Sequence, residues 1–406
     1  MSTAPSSLQL SEEQVLYFRA RRGHLAGPGA ADAATAAQDL LGAQAQQIAP
    51  ALLALSQRTA GRPSASAIHA QLADGPRTLV RTWGQRGTLH IYHAAADWRD
   101  FNLVQADWIV SSRRGLMPPT ATVNKVRKLM EQSAEPWTRA NLEGKIPAKY
   151  LKDAKEFVVA HKMAAHTSFR FAAGRILWVI TLNGDASLGK KIGAEQSYVA
   201  RKQWFPELAW PAPPPPAQKK KEIAQIGTQL ARRYLSLYGA ATTKDISHFF
   251  GCKVSEAKLW IADLHANDEL IHVQCGDRIG LLAMANDADE LLGKPPTTLT
   301  KWPIRLLPLW DSMMMGHHDK SWIVPNDTDR KRIWRSGAYV AATVIDRGRV
   351  VAIWTHKVKG KMLVVEVEPL SLWKASRHLA GVKRELISIA KHLSIKAKAI
   401  ALKLQN

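Results

Sequence analysis

Two glutamines separated by one residue stand in a break between two stretches of helical character. Gln44 and Gln46 follow Gly42, with the helical stretches at residues 33–41 and 51–57. In an extended chain, residues i and i+2 share a face, so both carboxamides could point into one cavity. A carboxamide has no proton that titrates near pH 7, so the pair can orient water or oppose a developing charge but cannot act as a strong general base. The alternative is that the two side chains only cap the next helix or face water.

The composition indicates a polyanionic partner. The 406 residues include 56 Lys and Arg against 34 Asp and Glu, which gives a formal net charge of +22 and a pI near 10.0. Nucleic acid or an anionic membrane surface is the default partner of such a chain. With 46% apolar and 22% charged residues the composition is that of a globular protein, and the length predicts about two to four modules.

Several classes of protein are excluded by what the sequence lacks. Cys252 and Cys275 are too few for a four-cysteine iron–sulfur cluster, a cysteine-rich zinc finger or a disulfide scaffold. The N-terminus has no secretory-signal pattern, and no apolar run approaches the ~20 residues that cross a bilayer. The histidines form no closed ligand set, so we expect no metal and no cofactor. These features predict a soluble protein of a reducing compartment.

A proline run followed by three lysines divides the chain at residues 211–221. Because prolines favour extended polyproline II, this segment predicts a stiff linker that neither a helix nor a central strand contains. The next segment has apolar residues at helical spacing, with Thr243 and Ser255 as candidate helix caps. The predicted elements are helices at 223–238, 244–250 and 256–265 and strands at 269–274 and 278–283. Three helices and a two-stranded wing predict a winged helix-turn-helix.

A similar order of elements precedes the linker. Helical patterns at residues 123–133 and 151–164 are followed by a strand-like stretch at 175–181 that would begin a second wing. The N-terminal part contains helical stretches and a strand-like segment at 79–92, so it could be a further copy. The predicted segments are a winged-helix-like module with the glutamine motif at 1–110, a second module at 111–210, the linker at 211–221, a third module at 222–298 and a C-terminal region at 299–406.

The C-terminal region has a different character. Stretches at residues 339–345, 350–354 and 362–367 are rich in β-branched residues and are joined by cationic turns, which predicts a β-meander. A basic amphipathic helix is predicted from residue 370 to the end. The predicted fold class is therefore α+β, with tandem winged helix-turn-helix modules and a C-terminal β-meander and hairpin region.

Three blocks of the sequence carry a family resemblance. The first is Gly42-Ala43-Gln44-Ala45-Gln46, the second spans residues 81–90, and the third spans 306–311 with 316–320. In order and spacing they resemble the AlkZ-like family of bacterial DNA glycosylases, over most of the chain and most weakly near 110–220. The resemblance implies tandem winged helices around a basic DNA-binding channel. This sequence departs from the family pattern at position 320, where it has Lys320 and the family pattern has arginine.

The resemblance also implies a chemistry. In the family, two polar residues at the positions of Gln44 and Gln46 carry catalysis, members excise N-alkylated purines, and some unhook DNA interstrand crosslinks. Alkylation at N7 or N3 makes the purine cationic and a good leaving group, so the enzyme has only to stabilise an oxocarbenium-like sugar and hold a water. A carboxamide oxygen can do both. By analogy with oxyanion-hole donors, it can lower the activation barrier by about 3 kcal/mol. We therefore expect a monofunctional glycosylase without a lysine Schiff base.

Further basic residues are candidates for contacting DNA. The turn containing Lys357, Lys359 and Lys361 could grip phosphates or enter a groove, although charged turns can also merely keep a sheet edge soluble. Arg86 and His90 lie in the second block. His90 could line the channel, and Arg86 could bind phosphate or, alternatively, pair with a buried acid. The full set of candidate DNA-binding residues is Arg86, His90, His318, Lys320, Arg347, Arg349, Lys357, Lys359 and Lys361.

The expected partner is double-stranded DNA with alkylated or crosslinked purines, bound by a monomer in the cytoplasm in association with the nucleoid. A rival hypothesis is a non-catalytic winged-helix transcription regulator, with helix 256–265 as its recognition helix and both glutamines as ordinary caps. A third, an anionic-membrane protein, is weakened because the C-terminal basic helix lacks a broad apolar face with aromatic anchors.

Overall fold

A computed structural model of the chain describes residues 7–112, 115–212, 214–396 and 400–404. The helices are α1 (Glu12–Arg22), α2 (Ala33–Asp39), α3 (Ile48–Arg58), α4 (Ala65–Ala73), α5 (Ala94–Ser112), α6 (Thr120–Glu131), α7 (Ala148–Ala160), α8 (Ser168–Leu182), α9 (Arg201–Trp204), α10 (Pro216–Tyr238), α11 (Thr243–Phe250), α12 (Val254–Ala266), α13 (Ala288–Leu292), α14 (Ser312–Met315), α15 (Asp327–Ile333) and α16 (Ala375–His392).

The strands are β1 (Ser7–Gln9), β2 (Ala43–Gln44), β3 (Leu79–Gly84), β4 (Thr88–His93), β5 (Ala186–Ile192), β6 (Glu195–Ala200), β7 (Leu270–Cys275), β8 (Arg278–Met284), β9 (Arg305–Leu307), β10 (Trp334–Arg335), β11 (Tyr339–Val340), β12 (Thr343–Asp346), β13 (Arg349–Lys359), β14 (Met362–Pro369) and β15 (Ile400–Leu404). The α+β class predicted from the sequence is confirmed. No described helix is both long and apolar enough to cross a membrane.

Contacts along the chain define two compact units. The first joins Met1–His69 with Pro214–Asn406, and the second is Ala70–Pro213. The first unit is therefore discontinuous in sequence, because its N-terminal residues pack with the C-terminal half of the chain. The predicted division into three successive modules and a C-terminal region stays a prediction.

The helices and strands predicted just after the linker are present in the first unit. Thr242 caps α11 by accepting from the Asp245 N–H, and the Asp245 carboxylate accepts from the Thr242 N–H in return. The helix ends at Gly251, whose φ of +71° favours glycine. Strands β7 and β8 pair antiparallel, and β1 adds to β7 in parallel. The caps of α11 and α12 are Thr242 and Lys253, so the predicted caps Thr243 and Ser255 were one and two residues too late.

The predicted linker is shorter than expected, because α10 begins at Pro216 inside it. Proline has no N–H to donate and a fixed φ, and both properties suit the first position of a helix. The lysines at the end of the proline run are therefore helical. The expectation that no helix could contain any part of residues 211–221 was wrong.

The predicted β-meander is present and larger than expected. The sheet order is β15-β14-β13-β12-β9, with antiparallel pairs throughout except for β14 and β15. Trp354 is buried in this sheet and donates from Nε1 to the Leu307 carbonyl at 2.8 Å. One face of α16 packs against the sheet, with Val382, Leu386 and Ile389 in its core.

The prediction that the last helix runs to the end of the chain was wrong. Helix α16 ends at His392, and Ser394 has a left-handed φ of +58°. Strand β15 then pairs in parallel with β14, from Leu363 opposite Ile400 to Val367 opposite Leu404. The edge of β14 has unpaired backbone N–H and C=O groups. Pairing with them satisfies the backbone hydrogen-bonding groups of the last described residues better than a longer α16 would.

In the second unit, α6, α7 and α8 pack around one core and the hairpin of β5 and β6 follows them. The prediction of a strand at 175–181 was wrong: these residues belong to α8, and the hairpin begins only at Ala186. Ile176, Leu177, Trp178 and Ile180 are all buried. A helix buried on several sides has a continuous apolar run that periodicity alone cannot tell from a strand.

Candidate active site

The glutamine motif lies in an extended break between α2 and α3. Leu41 and Gly42 have left-handed φ values of +56° and +92°, and the Gly42 N–H donates to the Ala37 carbonyl at 2.8 Å. Because a side chain is strained in this region of φ, the second of these positions favours glycine. The turn directs the chain into β2, and α3 starts only at Ile48. The predicted break at Gly42 is confirmed.

Exposure alternates along the motif. Ala43 and Ala45 are fully buried, Gln44 is 9% exposed, and Gln46 is exposed. Such alternation is the pattern of an extended chain, in which every second side chain leaves on the same side. The small alanines therefore fill the interior, and the two glutamines remain the members of the motif that retain contact with solvent.

A buried ion pair fixes the helix that follows the motif. The Arg58 guanidinium at the end of α3 makes two hydrogen bonds to the Asp311 carboxylate, at 2.7 and 2.9 Å, and both side chains are at most 1% exposed. Asp311 also accepts from the Met313 N–H at 3.0 Å and so caps α14. Sequence reasoning missed this pair: Asp311 lay in a family block, but no pattern marked Arg58.

Two further contacts join the same segments. Gln57 donates from Nε2 to the Leu306 carbonyl at 2.6 Å, and the Ser312 hydroxyl approaches the Gly42 carbonyl at 3.4 Å. Residues at and beside the first block are thus in contact with residues at and beside the third block, although the two are far apart in sequence. The segment at 306–312 supports the turn that presents the glutamines.

A cationic groove of about 680 Å³ lies between α1, α2 and α10. Arg233 on α10 donates to the Gln38 carbonyl at 2.6 Å, at the end of α2 from which the glutamine turn departs. Glu290 pairs with Arg21 and Arg22, and Glu269 pairs with Arg232. The lining includes Arg21, Arg22, Arg232, Arg233, His24, Gln38 and Asp39.

The block at 316–320 is held by α10 and α11. His317 is buried, and its Nε2 lies 3.2 Å from the Tyr238 carbonyl. Burial and the charge of Arg19 hold the pKa of His317 well below 6.5, so the ring is neutral. Asp245 accepts from the His318 N–H at 2.7 Å. Burial alone would raise the pKa of Asp245, but the hydrogen bonds from Thr242 and from the His318 N–H lower it.

The two candidate DNA-binding residues of this block differ in their surroundings. The His318 side chain is exposed, with its ring edge-on to His248 at 5.5 Å between centroids. Lys320 is half-buried: its Nζ donates to the carbonyls of His317 and Met314 and lies 3.4 Å from the His248 ring nitrogen. Lys320 therefore organises the loop through backbone carbonyls, and of these two candidates His318 is the one whose side chain is exposed to solvent.

Arg347 and Arg349 flank the turn between β12 and β13. Arg347 pairs with Glu13 at 3.0 Å and donates to the Thr297 carbonyl at 2.8 Å, and Arg349 pairs with Glu12. Both guanidiniums thus attach the turn to the N-terminal end of α1. Phosphate would have to compete with these carboxylates, and the predicted DNA contacts of the two arginines stay a prediction.

The turn with Lys357, Lys359 and Lys361 is the tip of the β13–β14 hairpin. Strand β13 is buried from Val350 to Trp354 and exposed from Thr355 onward, whereas β14 keeps Leu363 and Val365 buried and pairs with β15 almost to the tip. Its three lysines are exposed. The tip therefore presents three cations to solvent, and this makes it a candidate contact for the phosphates or groove of DNA.

Arg86 and His90 belong to the second unit. The segment predicted as one strand at 79–92 is a hairpin, β3 and β4, with Arg86 at its turn in a left-handed conformation of φ +59°. His90 is 1% exposed, its Nδ1 lies 3.1 Å from the Thr88 carbonyl, and its ring stacks on Tyr92. Burial, and next the charge of Arg86, hold the pKa of His90 well below 6.5. His90 is therefore a neutral, buried histidine.

A family model described as DNA glycosylase AlkZ-like matches residues 37–392. A protein with this fold and this match is a DNA glycosylase by class, and the chain belongs to the AlkZ-like DNA glycosylase family. An interstrand DNA cross-link repair glycosylase of Streptomyces sahachiroi is 25% identical over 388 residues, which cover 93% of this chain and 97% of the relative. The solved structure of Streptomyces sahachiroi DNA glycosylase AlkZ is similar in fold, with a TM-score of 0.74 and 20% identity over 98% of this chain and all of that one.

The first prediction concerns the buried ion pair. Replacing Asp311 by alanine leaves the Arg58 charge buried without its carboxylate, and we expect a loss of about 3–5 kcal/mol in the free energy of unfolding, measured with urea. Lys190→Ala is the control, because its ion pair with Asp74 is about half exposed on both sides and is worth at most about 1 kcal/mol. Equal losses in the two variants would show that the Arg58–Asp311 pair does not anchor α3.

The second prediction concerns His90 and pH. The unfolded side chain takes up a proton near pH 6.5 and the folded one does not, so the unfolded state binds more protons below that pH and stability rises with pH up to about 6.5. His90→Asn keeps a hydrogen-bond donor near the Thr88 carbonyl and removes this proton. The slope of unfolding free energy between pH 5 and 6 should fall by up to about 1.4 kcal/mol per pH unit. An unchanged slope would mean that folded His90 is protonated.

Proposed function

We propose that this protein is a monofunctional DNA glycosylase that hydrolyses the N-glycosidic bond of purines alkylated at N7 or N3, with Gln44 and Gln46 as its catalytic residues. The observation that carries the proposal is the position of the two glutamines: they occupy an extended break that a left-handed turn and a buried ion pair hold in place. This break lies within the family match, and catalysis through two amides is what the resemblance to the family implies.

The proposed chemistry needs little from the protein. The alkylated base leaves with the electron pair of the glycosidic bond, which neutralises its own positive charge, and the sugar becomes oxocarbenium-like. The amide oxygen of one glutamine faces that developing charge, and the other accepts a hydrogen bond from the water that adds to C1′. The water loses its proton to solvent, and the product is an abasic site. Amide dipoles placed in advance lower the barrier because they need not reorganise during the reaction.

Exposure favours a division of labour between the two amides. Gln44 is nearly buried, where a dipole acts through a low dielectric and is worth more. Gln46 is exposed and has access to the water that must be delivered. We therefore assign charge stabilisation to Gln44 and water positioning to Gln46.

The substrate is double-stranded DNA, and crosslinked purines are bulkier members of the same substrate class. The curated relative is named for interstrand cross-link repair. The order of three helices and a hairpin, seen in α10 to α12 with β7 and β8, supports winged-helix modules around a basic channel. The β13–β14 hairpin is the proposed groove contact, while His90, buried and neutral, would position neighbouring residues and not touch phosphate.

The rival function, a transcription regulator, is less well supported by α12. Its buried residues are Ala257, Trp260 and Leu264, so its outward side contains Ser255, Lys258, Ala262 and Leu259, the last of which is 66% exposed. A helix that reads base edges in the major groove brings donors such as arginine or glutamine to that side. The exposed side of α12, every residue of which the structure describes, carries one lysine, Lys258, against two carboxylates, and the helix contains no arginine, asparagine or glutamine.

The third prediction tests the glutamines. On a duplex with one 7-methylguanine, we expect Gln44→Ala and Gln46→Ala each to lower the single-turnover excision rate by about 10²-fold, scored as alkali-labile sites. The matched control is Gln47→Ala, because Gln47 is the next glutamine in the chain, is exposed, and makes no side-chain cap with α3. Its rate should match that of the unmodified protein. Covalent trapping by borohydride, or full activity of both variants, would refute the proposed mechanism.

The fourth prediction tests the hairpin. If Lys357 and Lys359 each neutralise one phosphate, the double alanine variant should lower the slope of log affinity against log salt by about 1.8 in magnitude, at 0.9 for each contact. The substitution of Glu366 by glutamine near the base of the same hairpin removes a negative charge and should not lower that slope. An unchanged slope in the double variant would exclude this tip from the DNA interface.

A further inference from the structure

Helices α7 and α12 occupy corresponding places in two similar runs of elements, yet they differ in charge. In each run, a helix and a short turn or helix precede them and a hairpin comes later in the chain. Residues 145–162 contain five lysines against two carboxylates, whereas the equally long stretch 253–270 contains two lysines against four carboxylates. The helices are therefore suited to different partners.

We propose that α7 carries a DNA backbone-binding face of its own, which holds undamaged as well as damaged duplex, and that α12 does not contact DNA. The proposal rests on the proposed function only in taking duplex DNA as the partner. It assigns to the second unit a binding surface that is independent of the glutamines.

The packing of α7 determines which side chains face outward. Tyr150, Ala154 and Val158 are buried in the core formed with α6 and α8. Since these positions are four residues apart, they form one stripe, and Lys152 points away from it with Lys149 and Lys155 on either side. All three lysines are exposed.

These lysines are available to an external anion. Asp153 and Glu156 are the carboxylates of the same helix, and no ion pair joins either of them, or any other carboxylate of the described residues, to Lys149, Lys152 or Lys155. By contrast, several other cations of this unit are already engaged: Arg139 and Arg170 pair with Glu195, and Lys190 pairs with Asp74. Helix α7 thus presents three exposed lysines on one side, none of them in an ion pair within the described residues.

The dimensions suit a phosphate backbone. Lys149 and Lys155 are six residues apart, which is about 9 Å along the helix axis at 1.5 Å per residue. Successive phosphates of one strand advance about 3.4 Å along a duplex, so the three lysines can face neighbouring phosphates of one strand. Contacts of this kind are independent of base sequence and would hold the protein on DNA while it meets a lesion.

The experiment measures binding of the full chain to an undamaged duplex over a range of salt. Lys152→Ala with Lys155→Ala should lower the slope of log affinity against log salt by about 1.8 in magnitude, so a fivefold fall in salt widens the affinity gap to the unmodified protein by about 18-fold. The matched control is Lys244→Ala with Lys258→Ala, which removes two exposed lysines from α11 and α12. Its slope should stay the same. Lys152→Arg with Lys155→Arg should bind as the unmodified protein does.

Two readouts separate this inference from the proposed function. The Lys152 and Lys155 alanine variant should need more enzyme for half-maximal excision, whereas Gln44→Ala should keep the salt slope of the unmodified protein, because an uncharged amide neutralises no phosphate. Absence of excision in every variant would refute the glycosylase mechanism and leave the binding result intact. An unchanged slope in the α7 variant, an equal fall in the α11–α12 control, or tighter binding to single strands than to duplex would overturn the inference.

Discussion

The buried pair of Arg58 and Asp311 is the interaction on which the candidate site depends. Two charges withdrawn from water are costly, and this cost is offset only where the geometry is good. Here the guanidinium and carboxylate meet at 2.7 and 2.9 Å, and Asp311 caps α14 as well. The pair joins the end of α3 to a segment some 250 positions later in the chain, and with it fixes the exit from the glutamine break. Loops carry the chemistry in many enzymes, and a loop is precise only if rigid elements hold it.

A second constraint is that catalysis is assigned to uncharged groups. Glutamine cannot compensate for poor placement by changing its charge, so its value lies entirely in orientation and in a low dielectric. The left-handed turn at Leu41 and Gly42, the buried alanines on either side of Gln44 and the contact with Ser312 all reduce the freedom of this segment. The proposed phosphate contacts lie elsewhere, on the exposed lysines of the β13–β14 hairpin and of α7, because attraction between charges depends less on exact orientation than an amide hydrogen bond does.

Much of this arrangement could be predicted from the sequence, and the failures have physical causes. Periodicity located α10 to α12 and the hairpin of β7 and β8, because these amphipathic elements each bury one side. It failed for α8, which is buried on several sides, and for β15, which forms only because the edge of β14 offers backbone partners. The glutamine break was visible from Gly42. Arg58 was not, since an arginine at the end of a helix gives no sign that its partner lies in a distant block.

The central claim is that the amide of Gln44 stabilises positive charge on the sugar, and the most direct measurement is binding of a stable mimic of that charge. A duplex with a cationic azasugar at one position should bind the unmodified protein about 10²-fold more tightly than a duplex with a neutral tetrahydrofuran there, and Gln44→Ala should abolish most of that preference. Equal affinity of the unmodified protein for both duplexes would contradict the account.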